Sequence, residues 1–268
     1  MEKMRRWAAK YFYHLLVALP LGLLIGVNMI PEEWIWGSLV GLLLWSLMLM
    51  ILLRITKLRD NYLRKALDTL KDNCDPNPLH RETQEQMTYP GPKLGKRIMT
   101  VNYAMALRAL GEYDKSLEIL QAVDVEGPAV PQMVKFVYNN NRMDLYALLG
   151  RYDEAVIWYE KTAQSFHQMK PGKRKETVRP TVEQNGALYH YCKGEYDLAL
   201  GVLHKAKPEN MLARIENAMM FARVYLAMGE REKAVKPLRF VAEKGNKLYF
   251  TTEANMLLEK INMEEAAL

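Results

Sequence analysis

Cysteine is scarce in this sequence, and the two that occur, Cys74 and Cys192, lie far apart in different local contexts. No Cys-x-x-Cys spacing exists, so neither a zinc site nor a disulfide framework can be read from them. Two free thiols fit a reducing compartment. His80, His167, His190 and His204 show no metal-ligand spacing, and His190 reads as a packing residue. There is no glycine-rich phosphate loop and no Ser or Cys nucleophile motif. Lacking all of these, the chain reads as a non-enzyme that uses no cofactor and no metal.

Formal charge is missing from two long stretches. Residues 11–30 and 34–53 hold none, and both are rich in Leu, Ile, Val and Met. At about 1.5 Å per helical residue, twenty residues span roughly 30 Å, the thickness of a bilayer's hydrocarbon core. Only Pro31, Glu32 and Glu33 separate them, a proline stop followed by two carboxylates that stay in water. Trp34 and Trp36 mark one interface, and Trp7, Tyr11 and Tyr13 the other. This pattern predicts a transmembrane hairpin. A cleaved signal peptide would have a shorter apolar core and a small-x-small site, and Asn28-Met29-Ile30-Pro31 offers none. His14 and Asn28 lie close enough to the ends of their span to reach an interface, so they do not mark a transport path.

Basic charge is uneven. Residues 1–65 carry nine Lys and Arg against four acids, which is +5 of the total +6. An excess that flanks apolar runs is a topology signal rather than a nucleic-acid footprint, so no nucleic acid is expected as a partner. Lys3, Arg5, Arg6 and Lys10 precede the first run, Arg54, Lys57 and Arg59 follow the second, and the turn has none. The positive-inside rule places both termini in the cytoplasm of a two-span cell-membrane protein.

Beyond the second run, Ile55, Leu58, Tyr62, Ala66 and Leu70 recur at helical steps, opposite Lys57, Arg59, Arg64 and Lys65. Such a helix either lies on an anionic leaflet or continues the second span into the next domain. Residues 74–92 have four prolines and few aliphatic residues, and read as a linker or an extended ordered loop. The expected division is a hairpin over 1–56, a juxtamembrane helix and linker over 57–92, and a solenoid over 93–268.

The rest of the chain repeats itself. Gly-Glu-Tyr-Asp-Lys-Ser begins at Gly111, Gly-Arg-Tyr-Asp-Glu-Ala at Gly150, Gly-Glu-Tyr-Asp-Leu-Ala at Gly194, and a weaker Gly-Glu-Arg-Glu-Lys-Ala at Gly229. Each glycine should end one helix in the left-handed conformation. Asp114, Asp153, Asp197 and Glu232 put carboxylates at the start of the next helix, where its dipole favours them. Ser116, Ala155, Ala199 and Ala234 allow the paired helices to approach. This resembles the tetratricopeptide repeat, whose turn between helices reads Gly-x-Tyr-x-x-Ala, over about residues 97–245. Ala104, Ala187 and Ala222 match the family's small first-helix position, where repeat two has Met143, and the family's first-helix Trp is absent. Leu120, Tyr159, Leu203 and Leu238 match its large apolar second-helix position. The spacings are 39, 44 and 35 residues, against about 34 in the family. They imply extended loops around 126–131 and 170–180. Ala254, Leu257, Leu258 and Ile261 form the stripe of a closing helix behind Thr251 and Thr252 as N-caps, with Glu253, Glu259 and Lys260 facing outward.

The fold class is therefore all-α, a two-helix membrane hairpin followed by about four helix pairs and a capping helix. The resemblance implies a concave groove lined by the first helices. Nine residues before each turn glycine stand Asn102, Asn141 and Asn185, with Met220 in the fourth repeat. In the family, asparagine at this position commonly contacts bound peptide. Arg108, Asp144, Tyr191 and Arg223 project nearby by the same phase argument. The implied function is a membrane-anchored adaptor holding a protein or peptide segment beside the bilayer. The alternative is a structural or assembly subunit that uses the solenoid to oligomerise. The loop bearing Lys170, Lys173, Arg174, Lys175 and Arg179 reads as a solvated charged surface.

Overall fold

In a computed structural model of the chain, the structure describes Tyr11, Ala18 and residues 35–89 and 92–266. All regular elements among the described residues are helices. The first apolar run and its turn fall outside them, save Tyr11 and Ala18. The second run opens α1, which continues unbroken over Ile35–Asn73. Among the described residues no helix is long and apolar enough to cross a membrane, so the expected hairpin is not supported by them. Within α1 the side chains of 35–40, 42, 48, 52, 53, 55 and 56 are outside the description. Those described between 43 and 51 include Leu43, Leu44, Trp45, Leu47, Leu49, Met50 and Ile51, all exposed, Leu43 at 69%.

The far half of α1 belongs to the repeat domain. Ala66 and Leu70 are buried in one core with Ala106, Ile215, Met219 and Ala222. The helix that carries the second apolar run therefore continues into the core of the helix pairs.

The stretch 74–92 is not a linker. It contains α2, Asn77–Met87, with Leu79 and Thr83 fully buried. Pro76 and Pro78, which read as breakers, stand at the N-cap and in the first turn, where a missing N–H breaks no helical bond. The Asp75 carboxylate accepts from the Asn77 backbone N–H at 3.0 Å, and Thr83 Oγ1 donates to the Leu79 carbonyl at 2.7 Å.

Four helix pairs follow: α3 (Lys93–Ala109) with α4 (Tyr113–Gln121), α5 (Gln132–Leu148) with α6 (Tyr152–His167), α7 (Lys173–Cys192) with α8 (Tyr196–Lys205), and α9 (Met211–Ala227) with α10 (Arg231–Lys244). The last helix, α11, spans Tyr249–Ala266. All four turn glycines have positive φ, from 73° to 84°. In each turn the following N–H reaches back to a carbonyl five residues earlier, as Glu112 to Leu107 at 2.9 Å and Arg151 to Tyr146 at 2.8 Å. This is the helix-ending geometry that favours glycine. The carboxylates of Asp114, Asp153, Asp197 and Glu232 lie in the first turns without making side-chain caps, so they act through the dipole.

Close approach within the pairs rests on small side chains. Ala104, Ser116, Ala155, Ala187, Ala199, Ala222 and Ala234 are all buried, and Ser116 Oγ donates to the Ala104 carbonyl at 2.7 Å. Leu120, Leu203 and Leu238 are core residues, whereas Tyr159 is part-buried and stacks on Tyr189 at 4.5 Å. The loop around 126–131 is present. The one expected over 170–180 shrinks to a short turn, because α7 begins at Lys173 and carries Pro180 in its interior. In α11, Thr251 lies inside the helix rather than at its cap. Glu253 turns to Arg223 and is only part-exposed.

The stack curls back on itself. Helices α3, α5, α7 and α9 contact their neighbours in turn, and α9 then packs on α1. Leu70 of α1 and Met105, Arg108 and Ala109 of α3 wall one small void, which closes the circle. The chain's last connection fastens it: Lys247 N–H donates to the Cys74 carbonyl at 3.2 Å, Asn246 Nδ2 to the Asn73 carbonyl at 2.7 Å, and Lys247 Nζ meets Asp75 at 2.7 Å. What was expected as an open groove is a ring of five helices, with α1 as the fifth stave.

Candidate functional site

Inside the ring lies a chamber of about 470 Å³. That is within the ~300–1,000 Å³ of pockets that bury small ligands. The repeat phase builds its wall. Asn102, Asn141, Asn185 and Met220 occupy equivalent positions on α3, α5, α7 and α9, and all four line it. Arg108, Asp144 and Arg223 line it too. Tyr191 does not. Its ring stands edge-on to Tyr152 at 5.7 Å and near Tyr196 at 6.0 Å, filling the contact between repeats two and three. Burial, then the Tyr152 hydroxyl, pushes its pKa up.

A continuous polar chain runs around the chamber. Asn185 Nδ2 donates to Asn140 Oδ1 at 2.7 Å, and Asn140 Nδ2 to Asp144 Oδ2 at 3.2 Å. Arg108 spans Asp144 and Glu216, with 2.9 Å to each carboxylate. Four helices, α7, α5, α3 and α9, are thereby joined. Asn140 and Glu216 were not anticipated. Asn140 sits within a run of three asparagines, which was a usable signal; Glu216 had none. Arg223 clasps Glu253 of α11, with Nη2 at 2.8 Å from both oxygens.

Burial dominates the Asp144 carboxyl and raises its pKa to about 6, with Arg108 pulling the other way and Glu216 adding to the rise. Burial also opposes the Arg108 charge, but the two carboxylates prevail and its pKa goes up. The sign of the linkage follows. A carboxyl that binds its proton more tightly folded than unfolded contributes stability at low pH, and that contribution is lost as pH rises from about 4 to about 6. The distance from 3.8 to about 6 corresponds to on the order of 3 kcal/mol. Asp144→Asn should therefore remove part of the decline in stability between pH 4 and 6, measured by urea unfolding of both proteins across that range. Identical pH profiles would rule this out.

Two donors on side chains of the wall have no partner among the described residues. Asn141 is only 3% exposed, yet its Nδ2 is unbonded, and so is Arg108 Nε. An unmet buried donor is unfavourable by about 1–3 kcal/mol. Neither atom is open to solvent, so a molecule in the chamber reaches them only if the side chains turn. Around them the surface alternates amides (Asn102, Gln184, Asn210) with Met133, Phe136, Val178 and Phe250. The wall therefore suits a ligand with carbonyl acceptors and apolar side groups.

No group of His, Cys, Asp and Glu among the described residues could hold a metal ion. Burial raises Cys74 to about 11 and Cys192 to about 12. Neither is a thiolate at neutral pH, the form a nucleophile needs. His190, outside the chamber, places Nδ1 at 2.7 Å from Glu195 Oε2.

Compared with family models, curated proteins and solved structures, the chain matches none of them.

Proposed function

We infer that this chain is a membrane-anchored adaptor of the tetratricopeptide-repeat type, holding a short segment of a protein partner in its chamber on the cytoplasmic side of the cell membrane. The observation that carries the binding half is the amide-lined chamber, with Asn102, Asn141, Asn185, Gln184 and Asn210 in its wall. Peptide carbonyls and N–H groups suit amides, which donate and accept, and apolar side chains suit the Met and Phe residues of the same wall. The anchoring half is supported by the uncharged run 35–53 and its exposed Leu, Trp and Ile side chains. An apolar patch of that extent needs cover from lipid or protein. Residues 11–30 would form the other arm of the hairpin.

A photo-crosslinker at Asn102 or Met220 in cells should trap the same one or few proteins. Unrelated products at the two positions would sink the adaptor reading. A topology reporter fused to the C-terminus should read as cytoplasmic, and an external signal would reverse the orientation. The assembly-subunit alternative is favoured by one observation, the exposed Met256 (61%) and Met263 (71%) on α11. In that case the detergent-solubilised protein runs as an oligomer, and polar replacements at both positions return it to a monomer.

A further inference from the structure

The return of α2 along α1 creates a surface that neither helix has alone. Asn77 starts α2 beside the far end of α1, and near its other end Gln86 Nε2 reaches the Arg59 carbonyl at 3.4 Å. The Arg59 guanidinium lies 5.4 Å from the centre of the Tyr89 ring. Arg59 stands six residues beyond Leu53, roughly 9 Å along the helix axis. Tyr89, four positions before α3 begins at Lys93, is thus brought back beside α1 about 9 Å from the edge of the apolar run. Helix α3 then runs away from that edge, since Met105 and Ala109 near its far end meet Leu70.

Six basic residues lie on these helices: Arg54, Lys57 and Arg59 on α1, and Lys93, Lys96 and Arg97 in the first turns of α3. Arg97 pairs with Asp124 at 3.0 Å. Arg54, Lys57, Lys93 and Lys96 are exposed, and none makes an ion pair among the described residues. The acids nearest are Asp60, next to Arg59, Glu82, which accepts from Gln86 Nε2 at 2.7 Å, and Glu85, which accepts from the Tyr89 hydroxyl at 2.7 Å, fewer than the six bases even with Asp124 added. Positive charge therefore prevails where α1 passes from exposed apolar side chains to the repeat ring. Lys93 is 36 positions from Lys57, so the basic collar at this end of the ring depends on the return of α2 beside Arg59.

We propose that this collar is a docking surface for anionic phospholipid headgroups, which seats the repeat ring against the membrane rather than leaving it on a free stalk. It rests on the reading that α1 enters a bilayer. The choice of lipid over other polyanions follows from continuity. The basic face adjoins an apolar surface, and a charged interface above hydrocarbon is what presents both together.

The test uses the full chain reconstituted in nanodiscs of phosphatidylcholine alone or with phosphatidylserine. Lysines are acylated briefly and read by mass spectrometry. Lys93 and Lys96 should be at least threefold less reactive in the phosphatidylserine discs at low salt, and the protection should vanish near 0.5 M salt, where screening is strong. Lys247 pairs with Asp75 beyond the far end of α1, roughly 33 Å along the axis from Leu53, and should react equally in both discs. Equal labelling of Lys93 and Lys96 in the two lipids overturns the proposal while leaving anchoring intact. Protection by added RNA in phosphatidylcholine discs, with none from phosphatidylserine, also overturns it. A chain that elutes apart from the discs defeats the anchored reading and the docking surface together.

Discussion

Replacing Arg108 with methionine should lower the melting temperature by roughly 10 °C. Among the described residues its guanidinium is the cation that pairs with both Asp144 and Glu216, and it fastens three first helices, α3, α5 and α9, at a single point. Methionine keeps the stem's apolar contacts and deletes the charge. Two carboxylates are then left facing one another in a largely buried site. Breaking a buried ion pair from one side typically costs about 3–5 kcal/mol, since the remaining charge has no compensation. For a domain of this size each kcal/mol moves the midpoint by about 2–4 °C. Adding Asp144→Asn and Glu216→Gln should restore most of the loss, because the defect is unpaired charge rather than lost packing. A midpoint within 2 °C of the wild type would show that Arg108 is no keystone. Failure of the triple variant to recover would place its role in packing instead.

Gly111→Ala should be far more damaging than the same change at Gly194. Both glycines have positive φ, 84° and 74°, where an alanine is strained by roughly 1–2 kcal/mol. At Gly194 nothing lies within 4 Å of an added Cβ, so backbone strain is the whole effect. At Gly111 the new carbon would overlap Cγ and Cδ2 of Tyr249 and stand 3.0 Å from its Cβ. Those atoms are at the root of the side chain, so no rotation of the ring tip relieves the clash. Tyr249 begins α11 and packs edge-on against Tyr113 at 5.7 Å, so the start of the last helix must move. Overpacking of this kind adds about 1–3 kcal/mol. Denaturant titration should separate the two variants by about 2 kcal/mol. Equal destabilisation would mean that Tyr249 does not rest on this turn.

These two sites show which parts of the molecule were legible. The turn glycines and small residues were readable because a helix pair is a local object, and its rules repeat at each copy. The Asn row was readable from phase alone, and all three asparagines reach the chamber. Tyr191 shares a phase with Arg108, yet two tyrosines in adjoining repeats hold it elsewhere, which no single-helix argument anticipates. Residues 74–92 misled because proline at a helix start looks in sequence like proline in a loop. The ring was invisible for a different reason. It depends on contacts such as Lys247 with Asp75, separated by 172 positions, and on a carboxylate, Glu216, that belongs to no repeat signature.

An open stack of repeats peels from its ends, because each pair holds only its neighbours. Here the connection before α11 is bonded to the end of α1, and Arg108 ties repeat one to repeat four. Lifting α11 would break the Lys247 and Asn246 bonds, release Arg223, and uncover Leu70 in the same motion. Fraying at one end is thereby turned into the opening of the whole circle. The repeats form one cooperative unit rather than a series of near-independent ones, and the helix that leads out to the apolar run is part of that unit.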